Sequence, residues 1–342
     1  MNRTLSLQKN VPLLALNSFG IAAMAQFFLR IERVGQLLQL RDDATLSAMP
    51  RLLLGGGSNL VLSDTVNALV VQLALMGKRV NSEDERYVYV SAAAGEKWHE
   101  FVLWTLQLGL GGLENLSLIP GTVGAAPIQN IGAYGAEMQD YFHHLTAFDF
   151  QTGETVTLDK SACRFAYRDS IFKREYKDRM VILEVTFALP KTWQARLNYG
   201  DVAQFLATEN IVQPSPKDVS DAIIVIRQSK LPDPAVIGNA GSFFKNPIVP
   251  AVLRDRLVAS YPSMVSYVQT DGSYKLAAGW LIEQCGWKGK SLGRVGVYPK
   301  QALVLVNLGG ATGAEVRQLA QQIRSDVRGK FGVDLEVEPV FI

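Results

Sequence analysis

The sequence is poor in the residues that build metal centres and disulfide scaffolds. Among 342 residues there are two cysteines, Cys163 and Cys285, and three histidines, His99, His143 and His144. No C-x2-C or H-x3-H spacing joins them, so neither a zinc tetrahedron nor a disulfide framework is expected, and a reducing cytoplasm fits. Charge is also scarce, at 19% of residues against about 25% in an average globular chain. With 48% hydrophobic residues, disorder is excluded as the main state. Thirty-four Lys+Arg against 32 Asp+Glu leave a net charge of +2. That lacks the positive excess needed to hold a phosphate backbone, so no nucleic-acid partner is expected.

A long uninterrupted apolar run is missing too. Arg3 and Lys9 precede an uncharged stretch over 10–29 with an A-x-A triplet at Ala23-Met24-Ala25, which imitates an export signal. Pro12, Asn17, Ser18, Gly20 and Gln26 interrupt it, and what remains is too short and too polar to export or to span a bilayer. The uncharged run 115–136 is richer still in Gly, Pro, Asn and Gln and reads as an ordered loop, because lipid could not satisfy its backbone.

What is present is core-forming sequence for two or three domains at roughly 150 residues each. Short apolar runs at 51–54, 60–62, 69–73 and 87–92 predict strands. Trp98, Phe101, Val102, Thr105 and Leu108 predict a helix ended by Gly109. Residues 146–158 predict a hairpin about Gln151-Thr152-Gly153-Glu154, and 180–189 a further strand. Two prolines in Gln213-Pro214-Ser215-Pro216 mark a boundary near 200–215, followed by a helix carrying Val219, Ala222, Ile223 and Ile226. A strand over 302–308 precedes a capping box, Thr312 with Glu315, that opens a helix with Val316, Leu319, Ala320, Ile323 and Val327 inward. The first half therefore reads as α+β and the second as α/β. His143 and His144, adjacent in a strand, are expected on opposite faces.

Glycine, 29 residues, is clustered. Gly55-Gly56-Gly57-Ser58-Asn59 could turn successive backbone N–H groups toward one anion, such as a pyrophosphate, or be an ordinary tight turn. It is not a Rossmann fingerprint, since Leu60 stands where the third glycine would fall. The segment from Ile119 to Gly135 offers a flat, small-residue wall of the kind a flavin or adenine ring needs, or a close-packed loop. Two such loops in one domain favour a phosphate-bearing cofactor. Gly289-Lys290-Ser291 is no P-loop, because Gln284 occupies the position of the required glycine. Ser242 lies in Gly241-Ser242-Phe243-Phe244 without the G-x-S-x-G frame of a hydrolase elbow. A general-acid hydroxyl and a plain turn both remain open there. On their own, Arg168 and Glu338 read as a surface arginine and a solvated carboxylate.

Taken together, Asn17-Ser18-Phe19-Gly20, the triple glycine, the 119–135 loop, Tyr167-Arg168, Lys230-Leu231-Pro232-Asp233-Pro234, Gly241 to Pro247 and Leu335-Glu336-Val337-Glu338 stand in an order that resembles the UDP-N-acetylenolpyruvoylglucosamine reductase family. The resemblance covers nearly the whole chain, and Asn198-Tyr199-Gly200-Asp201 looks like the tyrosine loop of one of its subtypes. It implies an α+β FAD-binding domain of the p-cresol methylhydroxylase type over 1–200, in two subdomains of about 1–70 and 71–200. An α/β substrate-binding domain over 215–342 would follow, its last strand returning toward the first domain. It further implies non-covalent FAD, NADPH as hydride donor, UDP-N-acetylglucosamine enolpyruvate as substrate, and a cytoplasmic monomer that meets neither membrane nor metal.

Site residues carried over by the resemblance are Gly55, Gly56, Gly57, Ser58, Asn59, Gly121, Thr122, Ala125, Gly132, Ala133 and Tyr134 for the cofactor. Tyr167, Tyr199, Lys230, Asn246, Lys288 and Gln301 would bind substrate. Arg168 and Glu338 would hold and polarise the enolpyruvyl carboxylate, and Ser242 would protonate the α-carbon after hydride reaches the β-carbon. Glu338 beside that carboxylate requires a proton or an Arg168 bridge, since two bare carboxylates repel. The chain departs from the family at Pro339-Val340, where Val-Arg is usual, which raises the question of how the backbone beside Glu338 is held.

Overall fold

The computed structural model describes residues 5–197 and 200–342. The chain forms two compact units, and both are discontinuous in sequence. The first comprises Met1–Val11, Ala25–Gly57 and Asn67–Ser229, the second Pro12–Met24, Ser58–Val66 and Lys230–Ile342. The division thus falls after Ser229 rather than within 200–215, and the helix Pro216–Lys230 packs with the first unit.

The first unit is built on a five-stranded antiparallel sheet. Its order is Thr155–Asp159, Phe142–Asp149, Met180–Pro190, Tyr87–Ala93, Lys78–Glu83. Strand side chains alternate between faces, and the central strand feeds two cores. Ile182, Val185, Phe187 and Leu189 join Trp98, Phe101 and Val102 of the helix Trp98–Gln107. Val181 and Leu183 join Leu29, Leu37, Leu40, Leu69 and Val71. In that second layer the strand Arg51–Leu54 runs parallel to Thr65–Leu73, with Leu54 opposite Gln72. The expected hairpin forms, with Phe148 opposite Thr155.

One local expectation fails in an instructive way. Pairing with the strand Met180–Pro190 shifts between Phe142 and His144, so His143 is the extra residue of a β-bulge. The bulge turns both imidazoles to one side, with Nδ1 of His143 and His144 2.6 Å apart, rather than to opposite faces.

The second unit pairs Asn239–Ser242, Val304–Asn307, Val295–Val297 and Ser291–Leu292 in an antiparallel sheet. The helix Gly313–Phe331 opens on the predicted capping box, Thr312 and Glu315, and ends at Gly332 with φ +66°. Its Val316, Leu319, Ala320, Ile323 and Val327 are all buried. The last strand, Val340–Phe341, runs parallel to Leu60–Val61. Residues 12–24 are drawn in as well: Asn307 Nδ2 donates to Phe19 O at 3.0 Å and Ser18 Oγ to Asn239 O at 2.7 Å. Among the described residues, no helix is long and apolar enough to cross a membrane.

Asp149, 2% exposed, closes the hairpin end of the large sheet. Arg179 Nε and Nη2 reach its two oxygens at 3.0 and 2.6 Å, and Gln151 N adds a bond of 2.8 Å. These donors, Arg179 foremost, hold the Asp149 carboxyl below its ordinary pKa. Asp149→Asn should cost about 2 kcal/mol in a denaturant titration. Because the folded pKa is depressed, the gap to wild type should be full above the unfolded value of about 3.9 and shrink as pH falls further. A gap independent of pH would contradict this.

Candidate cofactor and catalytic sites

In the first unit the two glycine-rich loops meet backbone to backbone. A Cβ on Gly56 would lie 2.7 Å from Gly121 Cα, and one on Gly55 would lie 2.7 Å from Thr122 Oγ1 and 3.4 Å from Ala125 Cβ. Glycine is required there because any side-chain carbon would part the loops. The second loop is laid against 94–98 by Trp98 N to Gly121 O at 3.1 Å, Val123 N to Glu96 O at 2.8 Å and Gly124 N to Ala94 O at 3.0 Å. Further on, Gly132 pairs with Glu137 and Ala133 with Ala136. The hairpin tip between them, Tyr134 and Gly135, has positive φ at both residues, +47° and +79°, as a two-residue type I′ turn demands. Asn115 Nδ2 donates to Tyr134 O at 2.8 Å.

Two groups with no assigned role line this loop. Arg227 of the helix Pro216–Lys230 bonds the Tyr134 hydroxyl, and burial pulls its guanidinium below the ordinary value against that bond. His99 Nδ1 accepts from Leu118 N at 3.0 Å. Burial first, and the Arg227 charge second, lower its pKa, so the ring stays a neutral acceptor. No acidic residue occurs in 55–59 or 121–135. Backbone amides, small side chains and absent carboxylates fit an anionic, flat cofactor.

Arg168 is a further candidate residue of the first unit. It stands in a tight turn closed by Ala166 N to Asp169 O at 3.0 Å and Asp169 N to Ala166 O at 3.2 Å. Its Nη2 donates to Gly132 O at 2.7 Å, and its guanidinium lies 5.3 Å from the Tyr167 ring.

In the second unit Ser242 and Glu338 lie on neighbouring segments. Phe243 N donates to Leu303 O at 2.7 Å, Glu338 N to Phe243 O at 2.9 Å and Lys245 N to Glu336 O at 2.9 Å. Phe243 and Phe244 are 0% and 1% exposed and anchor the segment, whereas Ser242 is exposed. Asn59, expected at the cofactor, is tied here to the Glu338 strand. Its Nδ2 donates to Glu338 O at 3.3 Å and its carbonyl accepts from Val340 N at 2.9 Å. Pro339, which has no N–H, thus sits between two donors that are both used, Glu338 N and Val340 N.

Three of the proposed substrate residues, Asn246, Gln301 and Lys288, meet the helix Ala278–Gln284, where a Cβ on Gly279 would lie 3.1 Å from Gln301 Oε1. Asn246 Oδ1 accepts from Ala278 N at 2.9 Å, Gln301 Oε1 accepts from Leu303 N at 3.3 Å, and Lys288 Nζ pairs with Glu283 at 2.9 Å. Lys230 begins the longest segment of the second unit. Tyr199 lies outside the described residues. Asn130 went unassigned by sequence reasoning and is fully buried. Its signal was available: an amide among small apolar residues must find partners.

Comparison with known proteins defines the class and then the family. Residues 25–159 match an FAD binding domain, and 233–342 match the C-terminal domain of UDP-N-acetylenolpyruvoylglucosamine reductase. The protein is therefore a two-domain FAD-containing oxidoreductase. Two curated relatives bear the same reductase name. One from Paraburkholderia phytofirmans is 56% identical over 96% of both chains, and one from Burkholderia orbicola is 54% identical over 98% of this chain and 97% of its own. The chain belongs to the UDP-N-acetylenolpyruvoylglucosamine reductase family. The crystal structure of the Thermus caldophilus reductase shares its fold, with a TM-score of 0.67 at 22% identity over 98% of this chain and 99% of that one.

Gly56→Ala should weaken FAD binding by at least about tenfold, since the methyl group must displace backbone. Gly35→Ala, with nothing within 4 Å of the added carbon, should bind FAD as wild type does. FAD titration checks both, and equal affinities would contradict the cradle.

Proposed function

We propose that this protein reduces the enolpyruvyl ether of UDP-N-acetylglucosamine to UDP-N-acetylmuramate in peptidoglycan synthesis, with NADPH as reductant and non-covalent FAD as cofactor. The observation that carries this reading is near end-to-end identity of 56% and 54% to reductases of that name. FAD, which Gly55, Gly56, Gly57, Ser58, Asn59, Gly121, Thr122, Ala125, Gly132, Ala133 and Tyr134 would hold, would supply the two-electron chemistry that links NADPH to the enolpyruvyl β-carbon. The chain's own residues manage charge and protons.

The Arg168 guanidinium and Glu338 hold the enolpyruvyl carboxylate, and the cation stabilises charge that builds on the α-carbon and carboxylate. Ser242 Oγ–H gives its proton to the α-carbon. A hydroxyl is a poor acid, so it depends on fixed geometry. Support comes from its setting: Gly241 N bonds Asn239 Oδ1 at 2.9 Å, and buried Phe243 and Phe244 follow. Lys230 and Lys288 serve the diphosphate, Lys288 after leaving Glu283. Tyr167, Tyr199, Asn246 and Gln301 bind the rest of the substrate. NADPH and the UDP-sugar react in turn, and the protein works as a cytoplasmic monomer.

Ser242→Ala separates the steps. Anaerobic stopped-flow should find bleaching by NADPH within about threefold of wild type, and re-oxidation by the enolpyruvyl UDP-sugar slowed at least about 100-fold. Equal loss in both half-reactions would remove the proton-donor role. Wild-type enzyme that the UDP-sugar fails to re-oxidise would remove the function.

A further inference from the structure

The turn that carries Arg168 is strained and held from outside. Arg168 has φ +55°, a region that disfavours residues with a Cβ and persists only where neighbours over-determine it. One neighbour that bonds this turn's backbone is Asn130, which is 0% exposed. Its Nδ2 donates to Ala166 O at 3.2 Å and to Glu137 Oε2 at 2.8 Å, while its Oδ1 accepts from Gln139 N at 3.1 Å. An obligate carbonyl acceptor and an obligate N–H donor on opposite sides fix which way the amide points. Asn130 is itself in the left-handed region, at φ +45°, which asparagine tolerates best among residues with a Cβ.

Further ties connect the same two segments. Ser170 Oγ donates to Ile128 O at 2.7 Å, and Arg168 Nη2 to Gly132 O at 2.7 Å. A Cβ on Gly132 would come within 3.1 Å of Arg168 Nη1. Lys173 Nζ caps the Arg168 carbonyl at 3.2 Å. The stretch Ile128–Gly132 thus grips the turn before, at and after Arg168, and Asn130 is its only fully buried side-chain tie to the turn's own backbone among the described residues.

We propose that Asn130 is a positioning residue for Arg168: its amide clamps Ala166 O to the cofactor loop and so holds the strained turn that aims the guanidinium. This rests on the reading of Arg168 as the group that polarises the substrate carboxylate. It predicts that Asn130 matters in the half-reaction with the enolpyruvyl substrate and not in flavin binding or reduction. Asn130→Asp is the sharpest probe, because it is isosteric, removes both donors and sets a carboxylate against Ala166 O and Glu137.

The experiment measures FAD content, anaerobic reduction by NADPH and re-oxidation by the enolpyruvyl UDP-sugar for Asn130→Asp, Arg168→Lys and the double variant. Asn130→Asp should keep FAD and reduce within about threefold of wild type, yet re-oxidise at least about 30-fold more slowly. In the Arg168→Lys background it should add less than about threefold, because residues acting as one unit are not additive. Full additivity, or normal re-oxidation in Asn130→Asp beside a crippled Arg168→Lys, overturns the positioning role. Normal re-oxidation in Arg168→Lys overturns the reading of Arg168 instead. If Asn130→Asp does not fold, Asn130→Ser, which keeps one donor, decides by the same comparison. Loss of FAD from that variant would make Asn130 structural and end the proposal.

Discussion

The close approach of Gly56 to Gly121 is the constraint around which the cofactor region of the first unit is arranged. It places the end of the strand Arg51–Leu54 against a loop that is itself laid on residues 94–98. The strand packs on the layer that holds Leu29, Leu37 and Val71, and the loop is bonded to the start of the helix Trp98–Gln107, so both sides of the contact are anchored in core. A surface made this way exposes backbone and small side chains, with no carboxylate in either loop. That composition suits a flat anionic cofactor and repels little of it.

The second unit solves a different problem. The proposed chemistry asks it to hold a hydroxyl and a carboxylate in fixed relation while they come from opposite ends of a long segment, Ser242 and Glu338. Two phenylalanines do the anchoring: fully burying each is worth about 1.5–3 kcal/mol, and the Phe243 backbone bonds Leu303 and Glu338 directly. Asn59 then grips the chain on either side of Pro339. The backbone of Glu338 is thus held by pairing with Phe243 on one side and with Asn59 on the other.

Much of this was legible in the residue order wherever the signal was local. The capping box at Thr312 and Glu315, the apolar stripe Val316 to Val327, the hairpin at 146–158 and the glycine loops all follow from short-range rules. What escaped was set at long range. Residues 12–24 and 58–66 join the second unit through pairings with 239, 307, 340 and 342, and no periodicity marks such partners. The strand Lys78–Glu83 is almost wholly exposed, so it shows no alternation to read. The bulge at His143 reversed a face assignment because one extra residue breaks the period of two. At the proposed site, the roles of Arg168, Ser242 and Glu338 were named through family resemblance rather than read from the residues alone. Asn130 was missed, because its partners lie 7–36 residues away and two of them are backbone groups.

The most direct test of the account is an anaerobic visible spectrum of the purified wild-type protein, taken before and after one equivalent of NADPH and again after the enolpyruvyl UDP-sugar. A flavin band that NADPH bleaches and the UDP-sugar restores, with one UDP-N-acetylmuramate formed per NADPH consumed, is the predicted result. A protein without flavin absorbance even after added FAD, or a bleached flavin that the UDP-sugar leaves bleached, would contradict it.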